Sequence, residues 1–210
     1  MSELLDILRR TGALITNDHF VLTSGRHSPT YINKDALYPH TEQTSRVGAL
    51  FAEKVKALDV ETVVGPALGG IILAQWTAHH LTKLKGKEVA GVYTEKNADG
   101  AQIITRGYGK YITGKKVVVV EDLITTGESA KKVVETVKAA GGQVLAVVAL
   151  VNRNPKEITS GHFGVSFFPL ETVEVESYDE STCPLCQSGV PINTAVGHGK
   201  KFLEKKTTVL

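Results

Sequence analysis

Residues 117–129 read Val-Val-Val-Val-Glu-Asp-Leu-Ile-Thr-Thr-Gly-Glu-Ser, and no other stretch restricts fold and chemistry as tightly. Four consecutive β-branched residues describe a strand buried on both faces, as in a parallel sheet. In open α/β sheets, ligands bind outside the carboxyl ends of such strands. Glu121 and Asp122 stand side by side at that end. Adjacent carboxylates repel unless something uses them. A ribose diol does, because its hydroxyls donate to carboxylate oxygens. Leu123 and Ile124 then lead into Thr125, Thr126, Gly127, Glu128 and Ser129, a turn at a helix N-terminus. Free N–H groups and the helix dipole suit a phosphate there. Gly127 permits close backbone approach, and the hydroxyls add donors. The plain alternative is a strand-to-helix turn capped by Thr or Ser. The whole string is more specific than a bare TTG, which favours the phosphate.

The surrounding chain has a repeating rhythm. TVVGPALGG (62–70) is a strand running into a glycine-rich loop, and IILAQWTAHHL (71–81) is a helix. VAGVYTE (89–95) is a strand, AKKVVETVKAAGG (130–142) a helix ended by Gly141 and Gly142, and QVLAVVALVNR (143–153) a strand. Such strand–helix units predict a parallel sheet covered on both faces. Upstream, 3–10 is a helix with Leu4, Leu5, Ile7 and Leu8 on one face, and 20–33 forms short strands around a tight turn. Residues 41–58 form a helix capped by Thr41 or Thr44, with Val47, Leu50, Phe51, Val55 and Leu58 buried. The polar segment 95–111 is a functional lid, a disordered loop or a hairpin of its own. After about 160 the alternation is lost. A β-like piece, a cysteine-containing turn and a lysine-rich end follow.

Composition narrows the partners. The 24 basic and 22 acidic residues leave a net charge of +2, which offers no global field for nucleic acid or an anionic membrane. No apolar run reaches the ~18 residues of a membrane helix. The first fifteen residues lack the apolar block and cleavage site of a signal peptide, so a cytoplasmic protein is expected. Two cysteines make no disulfide framework. Glycine stands out at 20 of 210 residues.

The 117–129 string resembles the phosphoribosyl-diphosphate (PRPP) motif of type I phosphoribosyltransferases. It is neither a Walker loop nor a dinucleotide fingerprint. FVLTSGRHSPTYINKD (20–35) resembles the F-x-L-x-S-G-R-x-S-P signature of orotate phosphoribosyltransferases. GPALGGIILA (65–74) resembles the family's pyrophosphate loop, and LVNR (150–153) ends where the family carries an orotate-contacting Arg. CPLCQSGVPI (183–192) resembles an extension in one bacterial subgroup. The likeness spans about residues 15–195.

The resemblance implies an α/β, type I phosphoribosyltransferase fold. A single domain of 1–210 would have a core at about 41–160 and a hood from about 1–40 and 161–210. It implies transfer of the phosphoribosyl group from PRPP to orotate, giving orotidine 5′-monophosphate and pyrophosphate in pyrimidine biosynthesis. Mg²⁺ is the implied cofactor. A homodimer sharing the lid loop is the implied assembly, with no nucleic acid and no membrane partner. For PRPP the implied contacts are Glu121 to Ser129 together with Ala67, Leu68, Gly69 and Gly70. For orotate they are Arg26, Tyr31, Ile32, Thr125 and Arg153. Arg106, Lys96 and Asp122 are the implied catalytic groups.

Each position has a plainer reading beside this one. Gly65, Gly69 and Gly70 could instead serve close helix–sheet packing, Arg26 could be a solvated turn residue, and Arg153 could make a rim salt bridge. Tyr31 and Ile32 could be core. Arg106 could be a solvated charge. The chain also departs from the family. It reads Leu22-Thr23 where a Lys is usual two residues before the S-G, and its lid has no His. The lid carries instead Glu95, Lys96, Arg106, Gly107 and Tyr108, as in the subgroup with the cysteine-containing tail. Those departures keep a purine-base phosphoribosyltransferase, or a PRPP-sensing regulator of the same fold, as alternatives. Cys183 and Cys186 form C-x-x-C with His198 twelve residues on. One chain then offers at most three obvious ligands of the four a structural metal needs, so free thiols are expected ahead of a metal site.

Overall fold

The computed structural model describes residues 2–208. The chain divides into two units, one continuous from Tyr38 to Glu174, the other built from the residues up to Leu37 and those from Val175 onward.

The larger unit holds the sheet. Its strands are β3 (Thr62–Pro66), β4 (Ala90–Lys96), β5 (Gln102–Ile103), β6 (Lys116–Ile124), β7 (Gln143–Asn152) and β8 (Ser166–Thr172), numbered after two strands of the smaller unit. The spatial order is β5-β4-β3-β6-β7-β8. All neighbours are parallel except β4 and β5. The chain moves outward from β3 to β4, then returns to the centre as β6 and moves outward the other way through β7 and β8. The order therefore reverses between β3 and β6, the place where open sheets bind ligands.

Val117 to Val120 are fully buried, as four valines in a row require. Alternation sends Val117 and Val119 to a core shared with Val64, Val92, Val147 and helix α4 (Glu128–Ala139), through Val133, Val134 and Val137. Val63 pairs with Val118 and Gly91, and Gly91 faces Ala74 and Ala78 of α3 (Gly69–Lys85). Helix α2 (Thr41–Val55) lies against α3, where Gly48 abuts Trp76 so closely that a Cβ would stand 2.5 Å from the Trp76 Cβ. Val47, Phe51 and Val55 are buried as predicted, whereas Leu50 and Leu58 are half-buried. The cap position is His40, and the Thr44 hydroxyl donates back to the His40 carbonyl.

One expectation changes in this unit. The β-like piece after 160 is not hood: Ser166–Thr172 pairs in parallel with β7 as the edge of the central sheet, after the short helix α5 (Ser160–Phe163). The core accordingly runs to 174 rather than 160. Of the readings open for segment 95–111, a short hairpin forms at its start, where Glu95 and Lys96 pair antiparallel with Ile103 and Gln102, and Tyr108–Tyr111 is a helical turn.

In the smaller unit, α1 (Glu3–Arg10) is capped by Ser2, and Leu4, Ile7 and Leu8 are buried. β1 (Leu14–Val21) and β2 (His27–Ile32) form an antiparallel hairpin whose turn closes where Leu22 N–H donates to the Arg26 carbonyl at 2.8 Å. The short helix α6 (Pro184–Gln187) and α7 (Gly199–Thr208) complete it. Among the described residues no helix is long and apolar enough to cross a membrane.

Candidate active site

The acidic pair ends β6 in the middle of the sheet. Both carboxylates are almost wholly shielded, at 6% and 5% exposure for Glu121 and Asp122. Local bonds orient them. Asp122 N–H donates to Glu121 Oε1 at 3.0 Å, and Leu123 N–H donates to Asp122 Oδ1 at 2.6 Å. The Tyr38 hydroxyl donates to Asp122 Oδ2 at 3.2 Å.

Beyond the pair, Thr125 and Thr126 are exposed and Gly127 adopts a left-handed φ of 74° at the N-cap of α4. The first intrahelical bond there runs from Lys131 N–H to the Gly127 carbonyl. The N–H groups before it have no partner within the helix, an arrangement suited to an anion. Glu121 and the residues Leu123 to Ala130 line a depression of about 150 Å³ at this position. Every PRPP-loop residue expected from sequence except Asp122 is in that lining.

The loop after β3 meets the same place. Its Ala67–Leu68 peptide is cis, and Leu68 is 82% exposed. A Cβ on Gly69 would stand 2.1 Å from Asp122 Oδ2 and 2.6 Å from the Tyr38 hydroxyl. The N-terminus of α3 and the acidic pair are therefore in direct contact, and only glycine allows it. Gly65 and Gly70 also meet the close-packing need. A Cβ on Gly65 would fall 2.1 Å from the Gly70 carbonyl oxygen, so these two close the strand–helix junction backbone to backbone.

Arg153 follows β7, and its N–H donates to the Ile124 carbonyl at 2.8 Å, which places it beside the end of β6. Arg106 is exposed but ion-paired. Its guanidinium bonds Glu95 Oε1 at 2.9 Å and lies 5.9 Å from the centre of the Tyr93 ring. That bond, followed by one from the Thr105 hydroxyl, holds the Glu95 carboxyl below its usual 4.5. Lys96 is exposed at the end of β4. The hairpin is anchored at buried Gln102, whose side-chain oxygen accepts from the Thr94 hydroxyl and whose carbonyl accepts from Thr136 of α4.

The orotate candidates of the N-terminal signature lie in the smaller unit. Arg26 is fully engaged there by Ser177 Oγ (3.0 Å), the Ser177 carbonyl (2.6 Å) and Asp179 (2.7 Å), so it is neither free nor simply solvated. Ile32 is core at 5% exposure, while Tyr31 is half-buried beside the Phe20 ring. Cys183 and Cys186 are free thiols. His198, the third candidate ligand by sequence, is hydrogen-bonded to Thr23 at 3.0 Å.

Three residues of the larger unit's site gave no motif in the sequence. Tyr38 reaches Asp122. His162 lies under the phosphate loop, where a Cβ on Gly127 would stand 2.6 Å from its Nε2. Buried Asn152 braces the loop between them, donating to the Ile158 carbonyl and accepting from Asn154 N–H.

Known proteins share this arrangement. The phosphoribosyl transferase domain family matches residues 33–178. Orotate phosphoribosyltransferase of Thermotoga maritima is 37% identical over 197 residues, covering 93% of this chain and 98% of that protein. The one from Desulforamulus reducens is 38% identical over 189 residues, covering 90% and 93%. Among solved structures, Mycobacterium tuberculosis orotate phosphoribosyltransferase in complex with Fe(III) dicitrate superposes with a TM-score of 0.65 at 26% identity, covering 81% of this chain and 95% of that one. A structure of the same enzyme in complex with PRPP, at 24% identity and a TM-score of 0.58 over 81% and 87% of the two chains, shares the fold. By its sheet order, its two juxtaposed loops and relatives that match it almost end to end, this chain belongs to the orotate phosphoribosyltransferase family.

Proposed function

We propose that the protein transfers the 5-phosphoribosyl group from PRPP to orotate, forming orotidine 5′-monophosphate and pyrophosphate in pyrimidine biosynthesis. The observation that supports this most is the contact of Gly69 with Asp122. It brings a diol-binding carboxylate and two helix N-termini together at the sheet's reversal point. A molecule carrying a ribose between a phosphate and a pyrophosphate matches that layout.

In this reading Glu121 and Asp122 accept the ribose hydroxyls. Thr125, Thr126 and the first N–H groups of α4 hold the 5′-phosphate. Residues 67–70 hold the pyrophosphate, and Arg153 and Thr125 face the base. Bond breaking leaves positive charge on the ribose ring and negative charge on the departing pyrophosphate. The chain's work is positioning and charge stabilisation, with no covalent nucleophile. Lys96 and Arg106 at the two ends of the hairpin supply cations to the leaving group, and Arg106 exchanges Glu95 for it. Closure of the hairpin excludes water, which would otherwise hydrolyse PRPP. The donor set is entirely oxygen, two carboxylates and two Thr hydroxyls, which suits a hard cation. Glu121 and Asp122 would hold Mg²⁺ through water, and the ion would offset charge on the pyrophosphate. A cytoplasmic homodimer sharing the hairpin completes the proposal, and a sedimentation mass of two chains is its check.

The test is ultraviolet measurement of orotate consumption with PRPP and Mg²⁺. Turnover on orotate and none on adenine or hypoxanthine is expected. Turnover on a purine alone overturns the base assignment, and PRPP binding without turnover on any base supports the regulator instead.

A further inference from the structure

The smaller unit contains a four-residue cluster that the transfer reaction does not use. His19 on β1, His27 at the start of β2, and Cys183 and Cys186 around α6 each present one ligand atom, and all four atoms lie within 4.8 Å of one another. His19, His27 and Cys183 are buried and Cys186 is half-buried. Cys186 Sγ is 3.3 Å from His27 Nδ1 and 3.7 Å from His19 Nε2, and Cys183 Sγ is 3.8 Å from His19 Nε2. Zinc bonds of about 2.3 Å to sulfur and 2.0–2.1 Å to nitrogen give tetrahedral edges of about 3.3–3.8 Å. The three sulfur–nitrogen distances already fall in that range. His19 Nε2 and His27 Nδ1, now 2.7 Å apart, need to open by about 0.6 Å.

The surroundings also suit a cation. His19 Nδ1 lies 2.7 Å from the Val190 carbonyl. A carbonyl can only accept, so that nitrogen carries the proton and Nε2 turns a lone pair toward the cluster, the outer-shell arrangement usual for a metal-bound His. As a purely hydrogen-bonded group the four side chains serve one another poorly. Sulfur is a weak hydrogen-bond partner. The ligands' elements are tied independently of any ion: His27 and Tyr178 exchange both backbone bonds at 2.8 Å, and Gln187 N–H donates to the Cys183 carbonyl.

We propose that His19, His27, Cys183 and Cys186 form a structural zinc site. Four protein ligands close the coordination sphere, and the N₂S₂ set selects zinc over harder cations. Binding forms two Zn–S and two Zn–N bonds, and the two thiol protons pass to solvent. The ion would join the N-terminal hairpin to a segment more than 150 residues later in sequence. His27 adjoins Arg26, so the same ion fixes the turn that carries the S-G-R signature. The proposal stands apart from the choice of base.

The test is elemental analysis of protein purified reduced and without chelator, paired with cobalt substitution. One tightly held zinc per chain is expected. The Co²⁺ form should show intense visible bands of a tetrahedral site and thiolate-to-cobalt charge transfer. Stripping the zinc should lower Tm by about 5 °C or more, with recovery on adding zinc back. Cys183→Ser and Cys186→Ser should lose the metal, whereas His198→Ala keeps it. The cobalt spectrum of the parent protein remains decisive where a Ser variant fails to fold. Substoichiometric zinc with an octahedral cobalt spectrum, a Cys183–Cys186 disulfide in the isolated protein, or equal zinc loss from His198→Ala would overturn the site.

Discussion

Replacing Gly69 with Ala tests the heart of the site with one methyl group. The added carbon falls 2.1 Å from Asp122 Oδ2, and ordinary contact begins near 3.4 Å, so the carboxylate must retreat by about 1.3 Å. The Tyr38 hydroxyl, 2.6 Å from the same carbon, is pushed as well. A displacement of about 1 Å in a positioning group costs on the order of 10²-fold in rate. That corresponds to about 2.7 kcal/mol of lost transition-state stabilisation. Stability changes less. Overpacking costs about 1–3 kcal/mol, and Ala in place of Gly at the start of α3 returns up to about 1 kcal/mol. The variant should therefore fold, with Tm lowered by a few degrees, while kcat/KM for PRPP falls about a hundredfold. Steady-state orotate assays at varied PRPP, alongside calorimetry, separate the two effects. Parent-like kcat/KM in a folded Gly69→Ala protein would refute the contact on which the proposed function rests.

Gly127→Ala should destabilise by both its left-handed φ and the His162 ring. Adding His162→Ala should restore the steric part but leave about 1–2 kcal/mol of backbone cost, and full restoration would show that the φ is relaxed in solution. Asp122→Asn and Glu121→Gln should raise the KM for PRPP or reduce kcat by about 10²–10³-fold, and wild-type kinetics in either would remove that residue from the site. Because Arg106, then Thr105, depresses the Glu95 carboxyl, that contact contributes above the ordinary value of 4.5 and is lost as pH falls through the lowered one. Arg106→Ala should move the Glu95 titration up toward 4.5 in carbon-13 NMR, and an unmoved titration would mean the pair does not form in solution.

The sheet and the loops that follow β3 and β6 were legible because their signals are local. Four valines, two acids and a Thr-Thr-Gly turn occupy one continuous segment, and each part keeps its meaning without knowledge of distant residues. The β character of 166–172 was legible but its place was not, because Phe167 to Leu170 read the same on a hood as on a sheet edge. Only the pairing with β7 decides. Tyr38 and His162 were missed for a related reason. Each is a lone polar aromatic whose role depends on a glycine in another element. For the two cysteines the sequence offers only His198, downstream, as a further ligand, and so favours free thiols. Their partners His19 and His27 come from a hairpin near the other end of the chain, eight residues apart on facing strands, a spacing no metal motif would flag. Arg26 was visible as a charge in a turn, but its anchors Ser177 and Asp179 lie about 150 residues away.

The division of the chain has a consequence for its synthesis. The larger unit is one uninterrupted segment from 38 to 174, whereas the smaller one needs both ends of the polypeptide. At about 5–20 residues per second, the ribosome takes on the order of ten seconds to deliver the intervening stretch. During that interval the nascent hairpin bearing His19 and His27 exists without its C-terminal complement, while the sheet behind it can already assemble. The last piece to emerge, carrying Cys183 and Cys186, completes the smaller unit. Ending the chain at residue 174 should thus leave a formed sheet and an orphaned, protease-sensitive hairpin at 14–32.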